Sequence, residues 1–254
     1  MMGAQNNNSP HSPVWRINRV FPALLSKLDK ITKICIAVIG IILLTQVIAK
    51  PQDATVPLQS HPLPPSLMQW QPENTDNYFD QIETPNVGSL VWSRFPIQVY
   101  VERPPSNPQQ WQEQVIEAVL EWNDYLPLEI VETADTADIQ IWSRRPPLEP
   151  GNLRASSAET RYQVDIEETD NGEKMLSHQF TIWLSPTQTG KYIKAAIRHE
   201  LGHALGIWGH SPVETDVMYF SQVQQPPAIS IRDINTLKKI YQQPTRLGWA
   251  VSRK

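Results

Sequence analysis

The sequence predicts an α+β domain, and three observations carry that prediction. Short segments of alternating apolar and polar residues recur ahead of residue 185, one apolar stripe at helical spacing runs from Trp111 to Leu126, and two further helical segments follow residue 188. At 254 residues the chain has room for one domain of ordinary size with additional segments. Apolar residues make up 40% and there are nine tryptophans, enough for a core.

Leu90–Val101 gives the first strand signal, with Ile97, Val99 and Val101 alternating with their neighbours. Asn107 as N-cap, Pro108 at the first helical position and Gln110 three residues after the cap open a helix. Trp111, Val115, Val119, Trp122 and Leu126 form its sheet-facing stripe, and Pro127 closes it. Strands are expected at 128–131 and 138–142, then a surface loop over 143–160, a strand over 161–166 and another over 179–184. The acidic run from Asp165 to Glu173 offers oxygens to a calcium ion, but its spacing is not that of an EF-hand loop, and a solvated turn is the expected reading. A helix follows from about Thr189 to Leu205. A last one is signalled by Ser230 with Asp233, followed by Ile234, Leu237, Ile240 and Tyr241.

Charge is distributed unevenly. Residues 1–50 hold six bases and one acid, whereas residues 51–254 hold 16 bases and 25 acids, a net of −9. A mildly acidic body without a basic stripe argues against a nucleic-acid binder. Residues 1–33 read as a basic cytoplasmic region, and 34–49 as an apolar run that is either a signal-peptide core or a membrane anchor. Both readings place the body outside the cytoplasm, secreted, periplasmic or tethered. Cys35, the only cysteine, lies inside that run, so no intrachain disulfide is available. Residues 50–85 contain seven prolines between 51 and 85 and read as an extended linker or pro-segment. The domain is expected over 86–245, with a tail over 246–254.

The chemistry concentrates in His199-Glu-Leu-Gly-His-Ala-Leu-Gly-Ile-Trp-Gly-His210. Residues four apart share a helix face, so His199 and His203 can present two imidazole nitrogens to one zinc ion. Glu200 lies beside the open coordination position, where a carboxylate can take a proton from bound water. Gly206 falls where the helix must stop, and glycine tolerates the left-handed conformation of such a stop. His210 follows as a third nitrogen donor, and Met218 lies eight residues further on.

In this pattern the chain resembles the metzincins, whose signature is HExxHxxGxxH followed by a methionine-containing turn. Among them it is most similar to the matrixins. The similarity extends to Trp92–Val101, Ala118–Trp122 with Leu126–Leu128, Ala137–Ile139, and Ser230–Asn235 with Tyr241, covering roughly residues 88–244. The resemblance implies a zincin fold with a twisted, mostly parallel sheet of about five strands and three helices. It further implies one catalytic Zn²⁺ on His199, His203 and His210, Glu200 as general base and Met218 beneath the ligands. Protein or peptide substrates and a monomeric enzyme are its remaining implications. Trp208, Tyr219 and Phe220 are the candidate substrate-pocket residues, Trp208 also fitting a core role.

Three departures from the family pattern stand out. Ile207, Trp208 and Gly209 put one residue too many between Gly206 and His210. His178 resembles a ligand of the matrixin structural zinc, but too few other histidines remain to complete such a site, so a structural or exposed role is expected. No cysteine outside 34–49 can form a thiol latency switch. Two rival functions are a gluzincin-type peptidase completed by Glu214 and a non-catalytic tethered scaffold. The first requires a later acid at the metal, the second a domain that binds zinc without cutting peptides.

Overall fold

The computed structural model describes residues 56–147, 156–169 and 171–252. The N-terminal regions 1–33 and 34–49 lie outside these residues, and so does the question of how the apolar run is used. Among the described residues no helix is long and apolar enough to cross a membrane.

Five strands form one sheet in the order β2-β1-β3-β5-β4. They are β1 (Ile97–Val101), β2 (Leu128–Val131), β3 (Ile139–Trp142), β4 (Ala158–Glu168) and β5 (Lys174–Leu184). β1 pairs in parallel with β2 and β3, β3 in parallel with β5, and only the edge strand β4 runs antiparallel, against β5. The architecture is α+β with a mostly parallel sheet, as the sequence leads one to expect.

β1 is shorter than its sequence signal. It has a neighbour on both sides, so its residues need donors for two ladders, and Pro96 has no N–H to give. Leu90, Val91 and Trp92 are buried all the same, outside the sheet. β4 and β5 are longer than expected, eleven residues each, and β4 takes in the end of the anticipated loop, from Ala158 to Thr160, together with the start of the acidic run. Of that run, 165–168 belong to β4 and the turn begins at Thr169.

A single turn of helix, α1 (Pro65–Gln69), precedes the sheet; α2 (Pro108–Asn123), α3 (Lys191–Ala204) and α4 (Ile231–Tyr241) follow in order. Pro108 opens α2 as expected, but Asn107 sits in the left-handed region at φ 50° and does not cap the backbone. Its amide donates instead to the Gln110 side chain at 2.6 Å. The stripe Trp111, Val115, Val119, Trp122 and Leu126 is buried throughout. It packs under the rows that the strand register lines up, such as Val101, Ile141 and Ile182. Full burial of each such side chain contributes about 1.5–3 kcal/mol.

Indole donors tie α3 into place: Trp122 Nε1 donates to Arg198 O at 2.8 Å and Trp92 Nε1 to Ala204 O at 2.9 Å. Arg198 also clamps Glu121 of α2 through Nε and Nη2, one edge of its guanidinium. At α4, Ser230 and Asp233 form the expected capping box.

Within the segment expected as a linker, residues 56–85 carry α1 and a 3₁₀ turn at Phe79–Gln81 and are docked on the domain. Gln59 exchanges backbone hydrogen bonds with Thr245, His61 stacks on Trp249 at 4.2 Å, and Asn235 donates to the carbonyls of Asn74 and Asp76. Residues 246–252, expected as a tail, are likewise fastened. Gly248 and Val251 donate to Leu176 and Lys174 of β5, each at 2.7 Å. The physical reason is that the backbone N–H and C=O groups that lie outside regular elements in these segments are paired with groups on a neighbour.

Candidate metal centre

α3 carries His199 and His203 one turn apart, on the side of the helix that opens into a cleft of about 490 Å³. The helix ends where Gly206 permits it. Gly206 has φ +122°, its N–H donates to His203 O, and the Ile207 N–H donates to Gly202 O, the paired bonds of a Schellman stop. A Cβ on Gly206 would stand 2.8 Å from Leu90 O, so the close approach also demands glycine.

The chain then returns to the helix with one residue more than the metzincin spacing. Ile207 is fully buried, Trp208 packs edge-on against Tyr162 at 5.0 Å, and Gly209 lies against Gln81. His210 still reaches the other two histidines. The ligand atoms of His199, His203 and His210 all lie within 4.8 Å of one another, and among the described residues they are the one group of this kind able to hold a metal ion. Glu214 is exposed in the following loop and is not part of that group.

The donor set fits zinc. His199 Nδ1 is bonded to Val217 O and His203 Nδ1 to Ile207 O, both at 2.8 Å, which fixes these rings and leaves each Nε2 free for a cation. Burial pushes the pKa of all three imidazoles down, furthest for His203, so neutral, metal-binding rings prevail at neutral pH.

Glu200 lines the same cleft and is 8% exposed. Burial raises its carboxyl pKa to about 7, against the opposing effect of a hydrogen bond from Thr160. That bond follows from the register: Thr160 is paired with Ile182 and therefore faces the helices, where its hydroxyl donates to Glu200 Oε2 at 2.6 Å. Met218 is fully buried beneath the helix, its sulfur so close to Gly202 that a Cβ there would stand 2.2 Å from it. Trp208, Tyr219 and Phe220 all line the cleft, Phe220 at 65% exposure on its rim. Trp208 packs against Tyr162 and also borders the cleft.

His178 lies elsewhere. It is buried, stacked on Trp92 at 4.0 Å, and its Nε2 has no hydrogen-bond partner among the described residues.

Several residues escaped sequence reasoning. Thr160 sits in a stretch that reads as loop. Asp233 is visible as a capping residue, yet its carboxylate also accepts from the Val217 N–H at 2.9 Å, holding the turn that carries Met218. Asp216 gathers Ser211, Ser230 and Arg232, and no local pattern announces it.

The comparisons with known proteins agree with this geometry. The matrixin (peptidase M10) family model matches residues 92–242, and no curated protein matches the chain.

Proposed function

The chain belongs to the matrixin family, and from that membership we propose that it is a zinc-dependent endopeptidase acting on protein or peptide substrates. The observation that carries the proposal is the convergence of His199, His203 and His210 in one cleft with Glu200. In this reading the three histidines hold the ion. Zinc, when bound, supplies a Lewis acid for the scissile carbonyl and lowers the pKa of its water towards about 7.

The chain's own residues supply the rest. Glu200 accepts a proton from the attacking water at the carboxylate oxygen that Thr160 leaves free, and returns it to the leaving amine. No covalent enzyme intermediate is involved. β4 is the edge of the sheet, and Ala158, Glu159 and Thr160 line the cleft. An extended peptide therefore has unpaired backbone groups to add to as a further strand. Tyr219 and Phe220 contact its side chains at the rim. The basic and then apolar N-terminal residues deliver this domain to the outside of the cytoplasmic membrane.

The test is zinc content together with cleavage of an unfolded protein, with and without chelator. Glu200→Gln is expected to keep zinc and lose about 10²- to 10⁴-fold in turnover. His210→Ala is expected to lose zinc. A chain that binds one zinc yet cuts nothing in a peptide library supports the scaffold instead. Zinc retention unchanged in His210→Ala removes that ligand from the site.

A further inference from the structure

The family match starts at residue 92, yet both loops that shape the candidate metal centre are held by residues before it. Tyr78 is buried, and its hydroxyl donates to Asp233 Oδ1 at 2.6 Å. Its backbone N–H donates to Thr236 Oγ1 at 3.0 Å, fixing it to α4. The same Asp233 carboxylate accepts from the N–H groups of Val217 at 2.9 Å and Met218 at 3.4 Å. The Val217 carbonyl in turn meets His199 Nδ1 at 2.8 Å. Tyr78 is therefore linked through hydrogen bonds and one carboxylate to the orientation of a ligand ring.

The second contact falls on the bridge with the additional residue. The Glu83 N–H donates to Trp208 O at 2.8 Å, and Ile82 forms an antiparallel bridge with Gly209. Gln81 O lies so close that a Cβ on Gly209 would stand 2.3 Å from it. Between these contacts the 3₁₀ turn Phe79–Gln81 joins the two ends, with Gln81 N–H bonded to Tyr78 O and Ile82 N–H to Phe79 O. His210 itself is exposed and sits on a loop, so its position depends on how that loop is held.

We infer that Tyr78–Glu83 is an integral clasp of the metal centre, in which the Tyr78 hydroxyl and the Glu83 backbone N–H are positioning groups for the Val217–Met218 turn that orients the His199 ring and for the loop that carries His210. The clasp rests on the zinc reading above. It stays on the active enzyme; a pro-segment shed on activation would leave both loops without these partners. The three-residue bridge Ile207–Gly209 and the clasp are matched: the longer bridge projects a carbonyl and a glycine that Glu83 and Gln81 cover.

The experiment uses the full chain loaded with zinc, and follows zinc loss to a chromophoric chelator well below the unfolding temperature. Tyr78→Phe and Glu83→Pro each remove one donor. Ile82 already has the extended conformation that proline at 83 requires of the residue before it, at φ −91° and ψ 127°. Each variant is expected to lose zinc about tenfold faster, in the range that groups orienting metal ligands contribute. Tyr100→Phe, whose ring packs on Trp142 instead, is expected to match the unmodified chain.

A merely structural role would lower the unfolding temperature of the metal-free protein and leave the rate of zinc loss unmoved, which overturns the inference. So does an active species whose N-terminus lies beyond Glu83 by mass spectrometry. If Tyr78→Phe does not fold, Glu83→Pro decides. An unmodified chain that holds zinc and cuts peptide while both variants keep zinc to within about twofold sinks the clasp alone. One that never binds zinc sinks the proposed function with it.

Discussion

His178 offers the cleanest energetic test, because its ring is buried, titratable and unused by the proposed chemistry. Charging it inside the fold would bury a cation whose Nε2 has no partner among the described residues, so burial pushes its pKa from 6.5 down to about 3. In the unfolded chain the ring titrates at its ordinary value. Below that value the unfolded state binds one proton more than the folded state, so stability present above pH 6.5 is lost as pH falls, until about pH 3. Each pH unit in that window costs about 1.4 kcal/mol, which amounts to about 2 kcal/mol between pH 8 and pH 5. His178→Phe keeps a ring against Trp92 and removes the titration, and a neighbouring cavity of about 20 Å³ relieves the added atoms. Denaturant unfolding at pH 8 and pH 5, with chelator present throughout so that the metal-site histidines behave alike in both proteins, isolates the effect. The variant should lose about 2 kcal/mol less than the unmodified protein on acidification. Equal losses in the two proteins would show that His178 can protonate in the fold and refute the reasoning.

Other outcomes follow from single contacts. Thr160→Val removes the hydroxyl that favours ionised Glu200, so the acid limb of kcat/KM should move to higher pH and kcat should fall about tenfold, with Thr160→Ser restoring both; an unshifted profile would contradict the contact. Gly202→Ala drives a methyl into Met218 and should destabilise the domain by about 1–3 kcal/mol in thermal unfolding. Met218→Ala in the same chain should recover part of that loss, and strict additivity of the two changes would argue against the clash. Adding zinc at about 100 times its Kd to the metal-free protein should stabilise it by about 2.7 kcal/mol, read as an unfolding temperature roughly 5–10 °C higher. No change in that temperature would mean the three histidines do not hold zinc in the native state.

Much of the site was legible because it is written in local geometry. The His199, Glu200 and His203 spacing is a property of one helix, Gly206 answers a backbone conformation, and the α4 cap is a contact between residues three apart. The same holds for the α2 stripe, whose period alone assigns its buried face. Strand extents were less legible: β1 stops at Pro96 only because both its sides are paired, and β4 lengthens because β5 lies beside it.

The sequence by itself determined the α+β class, the helix that bears the first two histidines and the residues of the motif, since each depends on neighbours within a turn or two. Only the tertiary structure decided that His210 arrives despite the longer bridge, that Thr160 holds Glu200, and that Tyr78 and Glu83 brace the metal-centre loops. The Thr160, Tyr78 and Glu83 contacts join residues that are far apart along the chain. Their geometry is set by sheet register and packing, which no local pattern encodes.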